Sequence, residues 1–313
     1  MPLFTRRSLL TFAPEATYGT APSTGYIALE VLRDPDVAPL VADRAARETV
    51  RPWLGADRKR LINRRVTASF DCYMAGSGTP GVAPAFGGLL LACFMSEAIV
   101  TSTSTTYTLA HSGVSGSSTI RWHTDGIRHQ ITGARGNLTV SMAAGEHGLF
   151  KFEFQGIYSQ PTEVSLPSAT FTNQAAPVEI SAGATTGVSI NSVARCMSEF
   201  ELNIGNELVY ENLAGCSEQI EINSRNPEGR IQVESTMLTG TGSQNVYALA
   251  EGSALVPIGW THSAGAGSII TMSMPNCDIY EPSLSDRNGK QFKDIPFAPI
   301  ATSATSELSL VFT

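Results

Sequence analysis

The sequence predicts a mainly β protein, an antiparallel β-sandwich with one flanking α-helix. Three observations support this fold class. Short stretches of alternating apolar and polar residues recur along the chain, turns containing Gly, Pro or Asn separate them at close intervals, and only one segment has convincing helical spacing. Short strands with frequent turns are typical of sandwiches and barrels.

The strongest local prediction is a β-hairpin in the first half of the chain. The runs 137–142 and 149–155 both alternate, and a short glycine-containing link joins them. Phe150, Phe152 and Phe154 share one face of the second run. Alternation predicts further strands, in chain order, at 26–31, 66–72, 199–205, 208–210, 218–222, 230–234, 268–274 and 307–313.

A second hairpin is predicted near 218–235, where the turn Asn226-Pro-Glu-Gly229 separates two alternating runs. This hairpin and the one near 137–156 each follow a strand that contains glycine. The parallel suggests two related sheets in one chain.

One helix is predicted, at 84–99. Pro84 suits the first helical turn, and Phe86, Leu90, Cys93 and Phe94 recur at helical spacing. Because the segment is apolar nearly all round, we expect it to be buried against a sheet.

The 313 residues suffice for one large β-rich domain or two. We divide them into an N-terminal arm (1–25), a sandwich domain (26–235) and a C-terminal β-rich extension (236–313), which either completes the sandwich or decorates its exterior. Within the sandwich, the long segment 33–65 lacks a core pattern, and long loops of this kind are usually functional or disordered.

The arm contains the sequence Thr5-Arg-Arg-Ser-Leu-Leu10, which is close to a twin-arginine export signal. The apolar run that follows is short and is broken by Pro14 and Glu15, which argues against export. We expect instead an arm that is mobile in the monomer and ordered in an assembly. Deleting residues 2–12 should then leave the sandwich folded.

Residue patterns for catalysis or metal binding are weak. The five cysteines are widely spaced and form no C-x-x-C pair, which argues against a disulfide framework or a zinc site. Segment 121–129 contains two histidines and Asp125, but Asp125-Gly126 favours a hairpin turn. The glycine-rich segments lack a P-loop lysine, and no nucleophile elbow is present. We therefore expect no enzyme activity, no cofactor and no metal.

Charge is distributed unevenly along the chain. Residues 1–65 carry 11 Lys and Arg against 7 Asp and Glu, whereas residues 66–313 carry 10 against 21. A basic front and an acidic body favour association between copies of the chain, and argue against a general nucleic-acid binder. Segment 51–65 combines six basic residues with Trp53, a composition typical of protein–protein hot spots; nucleic-acid binding and a merely solvated loop are the alternatives.

Glutamates recur along the strands predicted between 199 and 234. A glycosidase would need two facing carboxylates in an aromatic-lined cleft, and this region has few aromatic residues. A solvated sheet face is the favoured interpretation. If the chain lined a DNA channel, that face would repel DNA. The candidates for such a surface are Glu199, Glu201, Glu218, Glu221 and Glu234.

Several motifs, taken in order, resemble the tail tube proteins of long-tailed, siphovirus-type bacteriophages. The resemblance is good over 1–160 and looser through 195–235. The motifs are Phe12-Ala-Pro-Glu-Ala-Thr-Tyr-Gly-Thr-Ala-Pro22, the basic segment ahead of Arg65-Val-Thr-Ala-Ser-Phe70, Gly87-Gly-Leu-Leu-Leu-Ala-Cys93, Gly133-Ala-Arg-Gly-Asn-Leu-Thr-Val140 and the stretch from Gly145 to Gly156.

This resemblance implies a structural virion protein assembled in the host cytoplasm. Six-membered rings would stack into a tube, sheets of neighbouring subunits would join into a ring-shaped β-barrel, and DNA would pass through without specific binding. Implied partners are further copies, the tape measure protein, the terminator and the baseplate or distal tail proteins. The arm and the long segment would supply contacts between subunits and rings, through Arg6, Arg7, Phe12, Tyr18, Arg44, Arg47, Arg51, Trp53, Arg58, Lys59, Arg60, Arg64 and Arg65.

Two other functions stay open at this point. One is a different ring or decoration protein of a virion, similar to a tail terminator, although such proteins are usually shorter. The other is a carbohydrate-binding β-sandwich, which would need clustered surface aromatics, whereas Trp53, Trp122 and Trp260 are scattered.

Overall fold

A computed structural model of the protein describes residues 4, 6–33, 35–111, 113, 116–240, 242–303 and 307–313. Within these ranges the chain is mainly β and its strand pairs are antiparallel, which confirms the predicted class. Parts of the predicted segments lie outside the described residues: 1–3 and 5 of the arm, 34 of the long segment, 112, 114 and 115 of the sandwich domain, and 241 and 304–306 of the extension.

The described residues of the first half form one short helix and ten strands. They are β1 (Ser8–Pro14), β2 (Ile27–Leu29), β3 (Asp36–Ala46), β4 (Lys59–Tyr73), α1 (Gly87–Ala92), β5 (Met95–Val100), β6 (Ser104–Leu109), β7 (Ser118–Thr124), β8 (Ile127–Ala143), β9 (Leu149–Tyr158) and β10 (Thr162–Glu163).

The second half has a similar content. Its elements are β11 (Thr185–Ile190), β12 (Val193–Ala194), β13 (Met197–Asn203), β14 (Asn206–Glu211), β15 (Gln219–Arg225), β16 (Glu228–Glu234), α2 (Val246–Glu251), β17 (Val256–Ser263), β18 (Ile269–Ile279), β19 (Ser283–Arg287), β20 (Lys290–Pro299) and β21 (Ser309–Phe312).

One run of eight paired strands crosses the molecule in the order β3-β4-β9-β8-β13-β16-β20-β19. Further strands continue from it on both halves: β7, β1 and β2 follow from β8, while β18, β17, β11 and β12 follow from β20. The eight-stranded run does not close on itself within the described chain.

The predicted hairpin is confirmed as β8 and β9, and its phenylalanines lie at the centre of the core. Phe150, Phe152 and Phe154 are buried, and the Phe152 ring lies 5.8 Å from that of Phe70 on β4. The same core continues into the second half around Trp260. Aromatic side chains carry large apolar area, so this alternating face joins the two halves into one packed unit.

The predicted helix 84–99 is correct only in its first part. Helix α1 ends at Ala92, and Phe94 adopts a left-handed backbone conformation with φ 62°. The chain then pairs as β5 with β6. The β-branched residues Ile99 and Val100 suit this strand. Burial of α1 is confirmed, because Leu89 and Leu90 are fully buried.

The long segment 33–65 is mostly a β-hairpin rather than a loop. Strands β3 and β4 pair from Asp36↔Ser69 out to Ala46↔Lys59. Sequence periodicity missed it because both faces of its outer part are exposed, so no alternating core pattern is required there.

The expectation of a mobile arm over 1–25 is wrong for Ser8–Pro14. This segment is strand β1, which lies between β2 and β7, and its residues 9–13 are buried. A strand covered on both faces reads as a continuous apolar run, which is why it resembled part of a signal. Deleting residues 2–12 would therefore remove most of a core strand.

The hairpin predicted near 218–235 is also wrong in its pairing. Strand β15 pairs with β14, whereas β16 pairs with β13 and β20. The stretch 236–313 supplies β17 to β21, and β20 pairs with β16 while β21 pairs with β6. The strands of this stretch therefore pair with strands of the sandwich, as in the first of the two alternatives given above.

We expect Phe12→Ala to lower the free energy of unfolding by about 3–5 kcal/mol, because removal of a fully buried ring would leave a cavity in the core. Urea denaturation measures the change. Phe4→Ala is the matched control: Phe4 is 62% exposed, so we expect a change of no more than about 0.5 kcal/mol. Equal effects of the two substitutions would contradict the assignment of β1 to the core.

Candidate assembly surfaces

The outer part of the β3–β4 hairpin, residues 39–66, is here called the basic hairpin. It contains eight basic residues and three acidic ones. Its tip is held by contacts within the hairpin itself: pairing between its own strands, a bond from the Arg47 N–H to the Arg58 carbonyl at 3.4 Å, and an ion pair between Arg51 and Asp57. Large apolar side chains are exposed along it, namely Leu40, Val50, Trp53, Leu54, Leu61 and Ile62. Apolar patches rimmed by charge mark interaction surfaces.

The hairpin gathers most of the residues predicted to contact other subunits. The exposed ones are Arg44, Arg47, Trp53, Arg58, Lys59, Arg60 and Arg64. Two others are partly engaged inside the chain. Arg51 forms an ion pair with Asp57, and the guanidinium of Arg65 lies 3.7 Å from the Asp43 carboxylate and 6.0 Å from the centre of the Tyr210 ring.

The predicted contact residues of the N-terminal segment behave differently. Phe12 is fully buried in the subunit's own core, which leaves it no surface for a neighbour. Arg7 is 2.7 Å from the Asp125 carboxylate. The Tyr18 hydroxyl donates to the Gly133 carbonyl and accepts from the Ile220 N–H. Burial raises the pKa of Tyr18. Arg6 is exposed.

Sequence reasoning missed the residue that holds this segment in place, Glu15. Its carboxylate accepts hydrogen bonds of 2.6–2.8 Å from the backbone N–H groups of Gly19 and Gly133 and from the hydroxyls of Ser117 and Thr119. Four bonds to one carboxylate fix the chain after β1 against β7 and β8. The spacing Glu15–Gly19 gives no signal, because three of the donors are distant in sequence.

The eight-stranded run has one apolar face and one polar face. Rows of directly paired residues cross the polar face: Ser141, Glu201 and Arg230 form one row. The charged residues of this face include eight acidic and four basic ones outside the basic hairpin, namely Asp36, Asp71, Glu153, Glu199, Glu201, Glu228, Glu234 and Asp294 against Lys151, Arg230, Arg287 and Lys290.

Three of the five predicted channel-facing glutamates lie on this polar face. Glu199 is 3.2 Å from Arg230, and Glu234 is 3.2 Å from Lys290. Glu201 has no ion pair within the described residues. Glu218 and Glu221 are elsewhere, beside and on the separate β14–β15 sheet. Their alternation resembled that of the main sheet, but their strand pairs with a different partner.

The segment with two histidines is confirmed as a hairpin. Asp125 and Gly126 both have positive φ, 32° and 104°, and join β7 to β8. Over the ranges that the structure describes, no three or more His, Cys, Asp and Glu side chains are grouped so as to hold a metal ion. The helices in those ranges are too short or too polar to span a membrane.

A model of the family described as phage tail tube protein matches residues 5–312, nearly the whole chain. No protein of curated function matches the chain.

We expect Trp53→Ser with Leu54→Ser to change the free energy of unfolding by no more than about 0.5 kcal/mol, because neither side chain packs within the subunit. Chemical denaturation of the double variant measures this. The control is Trp260→Ser, in which a buried indole is lost and a large destabilisation is expected. A marked loss of stability in the double variant would show that the hairpin tip packs against the subunit.

Proposed function

The chain belongs to the phage tail tube protein family, and on that premise we propose that it forms rings that stack into the tail tube through which DNA leaves the virion. It is a structural component of the virion tail. The feature that carries the proposal is the basic hairpin, which exposes apolar and cationic side chains that no described part of the subunit covers.

The basic hairpin would make the contacts between rings. An isolated subunit gains nothing from exposed Trp53 and Leu54, whereas a neighbouring ring could bury both. The body of the chain is acidic, with 21 Asp and Glu against 10 Lys and Arg over 66–313, and would attract the cations of the hairpin. Arg6 of the N-terminal segment is also exposed and remains a proposed contact between subunits.

The polar face of the eight-stranded run would line the lumen. The opposite face packs on the aromatic core, so only the polar face is free to meet DNA. Its excess of carboxylates would repel phosphates and keep the genome from binding to the wall. Glu199, Glu201 and Glu234 are the predicted residues that this proposal retains.

Joining of sheets between neighbouring subunits would close each ring and remove exposed strand edges. Six positions around the ring are what the family resemblance predicts. The tape measure protein, the terminator and the baseplate or distal tail proteins are the proposed partners, and assembly would take place in the host cytoplasm.

We expect Arg58→Glu with Lys59→Glu and Arg60→Glu to abolish stacking, because three attractive charges at each hairpin would become repulsive. Negative-stain microscopy of the purified protein would then show rings or single subunits in place of long tubes. The matched control, Arg58→Lys with Arg60→Lys, keeps the charge and should still give tubes. Tubes of normal length from the charge-reversed variant would contradict the proposed role of the hairpin.

We expect tubes of Glu153→Lys with Glu201→Lys to retain a short duplex DNA that unsubstituted tubes do not retain. The substitutions turn two repulsive charges per chain into attractive ones, so binding should weaken steeply as salt is raised. Filter binding at low and high salt measures the effect. Glu153→Gln with Glu201→Gln is the control for the loss of repulsion alone. If the lysine variant binds no more duplex than the unsubstituted tubes, this face does not line the lumen.

A further inference from the structure

The two halves of the chain have the same strand connections. In the first half the neighbours run β2-β1-β7-β8-β9-β4-β3. In the second half they run β12-β11-β17-β18-β20-β16-β13, and β19 also pairs with β20, so that β18 and β19 together occupy the place of the long strand β8. The order along the chain is also the same apart from two inserted strand pairs, β5–β6 in the first half and β14–β15 in the second. Each half places its short helix at the same point, α1 after β4 and α2 after β16.

Smaller details repeat as well. Strand β10 follows β9 and pairs with the first part of β8, as β21 follows β20 and pairs with the first part of β18. Helix α1 packs on β8, and α2 packs on β18. The strand pair β14–β15 forms a hairpin between β13 and β16. The basic hairpin has the same position in the first half, between the paired inner parts of β3 and β4.

A β-bulge that occurs in both halves shows which residues of one half correspond to which residues of the other. From Ile120↔Ile131 to Ser118↔Ala134, strand β7 advances two residues while β8 advances three. From Ile258↔Met274 to Val256↔Cys277, β17 and β18 do the same. Bulges are specific features rather than defects, so a common bulge indicates a common origin.

With this register, Ile120-x-Trp122 corresponds to Ile258-x-Trp260, and Phe154 corresponds to Phe297. Counting along the paired strands, Glu201 and Leu202 on β13 correspond to Asp36 and Val37 on β3. On the other side, Val140 and Ser141 on β8 correspond to Leu284 and Ser285 on β19.

The junction between the halves is a strand pair that exists once in the chain. Strand β13 of the second half pairs with the last part of β8 in the first half, with Leu202 opposite Val140 and Glu201 opposite Ser141. The junction is buried: Leu202 and Val140 are each 1% exposed.

The counterparts of these two strands have no such neighbour. Within the described chain, β3 pairs only with β4, and β19 pairs only with β20. Leu284, the counterpart of buried Val140, is 56% exposed. An open strand edge with an exposed apolar side chain is a template for another strand, and the internal junction shows which strand fits it.

We infer that the chain is an internal duplication, that β3 of one copy pairs with β19 of the next copy as β13 pairs with β8, and that three copies close each ring. Asp36 then lies opposite Ser285, and Val37 covers Leu284. This inference rests on the proposed function for the ring itself. It assigns the six ring positions to three chains with two units each.

The expected width of the lumen supports three copies. Each chain contributes eight strands to the barrel. Strands are about 4.8 Å apart and tilt by roughly 40°, so three chains give a backbone radius of roughly 24 Å. Two chains give roughly 16 Å, which side chains would narrow to about the width of duplex DNA, and six chains give roughly 48 Å, far more than one duplex requires. Three is the smallest number that leaves clearance.

Disulfide trapping in assembled tubes tests the inference. Asp36→Cys and Ser285→Cys are introduced together in a background with Cys196→Ser and Cys216→Ser, since Cys196 and Cys216 are the exposed cysteines of the described chain. Directly opposed residues of antiparallel strands have Cα atoms about 4.5–5.5 Å apart, within the range of a disulfide. Glu201→Cys with Ser141→Cys is the reference, because this pair is the same contact inside one chain.

Oxidised tubes of the Asp36–Ser285 variant should give a ladder on a denaturing, non-reducing gel that ends at three chains. The reference pair should form its bond and leave a single chain. A ladder that continues to six chains overturns the copy number, and no cross-link between chains, while the reference pair oxidises, overturns the β3–β19 contact. In both cases tubes still form and the proposed function stands. If the unsubstituted protein forms neither rings nor tubes, the proposed function fails and this inference fails with it.

Discussion

The need to pair the backbone at every strand edge governs this structure. The eight-stranded run is apolar on one face and polar on the other, and it stops at β3 and β19 without closing. Unpaired N–H and C=O groups at such edges invite a further strand, and natural sheets protect them by closure or by charge. Here β19 instead exposes Leu284 beside its open edge. An assembly that joins β3 to β19 satisfies both edges at once, so the ring completes the fold of its subunit.

The core explains why the two halves act as one body. Phe312 of β21 contacts Phe86 beside α1 and Phe150 of β9, with ring centres 5.9 and 6.4 Å apart. The last strand of the chain thus packs on the centre of the first half, while β6 of the first half pairs with β21. These crossed contacts, added to the β8–β13 junction, hold the angle between the halves, and a ring of fixed curvature requires a fixed angle.

Sequence patterns predicted the elements whose two faces have different surroundings. The alternation of Phe150, Phe152 and Phe154 identified β9 because one face is core and the other is solvent. Strand β1 is covered on both faces and the basic hairpin on neither, so neither segment alternates. Sequence patterns therefore predict an arm at the first and a loop at the second. The hairpins near 137–156 and 218–235 suggest two related sheets, but these two segments are not counterparts, because β8 and β9 correspond to β18, β19 and β20. The signal that could have found the duplication is Ile-x-Trp ahead of a glycine-containing turn, at Ile120 and again at Ile258.

Duplication allows two positions in the ring to differ where identical units could not. The basic hairpin projects with eight basic residues against three acidic ones, whereas the corresponding segment 204–227 has four acidic residues and one basic. The β14–β15 pair packs back on β8 and β9, and Ile220 within it bonds to Tyr18. A ring of three chains therefore alternates three projecting basic hairpins with three folded-back acidic ones. Opposite charges on alternate positions attract only when successive rings are rotated so that basic meets acidic, so the charge pattern sets the stacking angle as well as its strength.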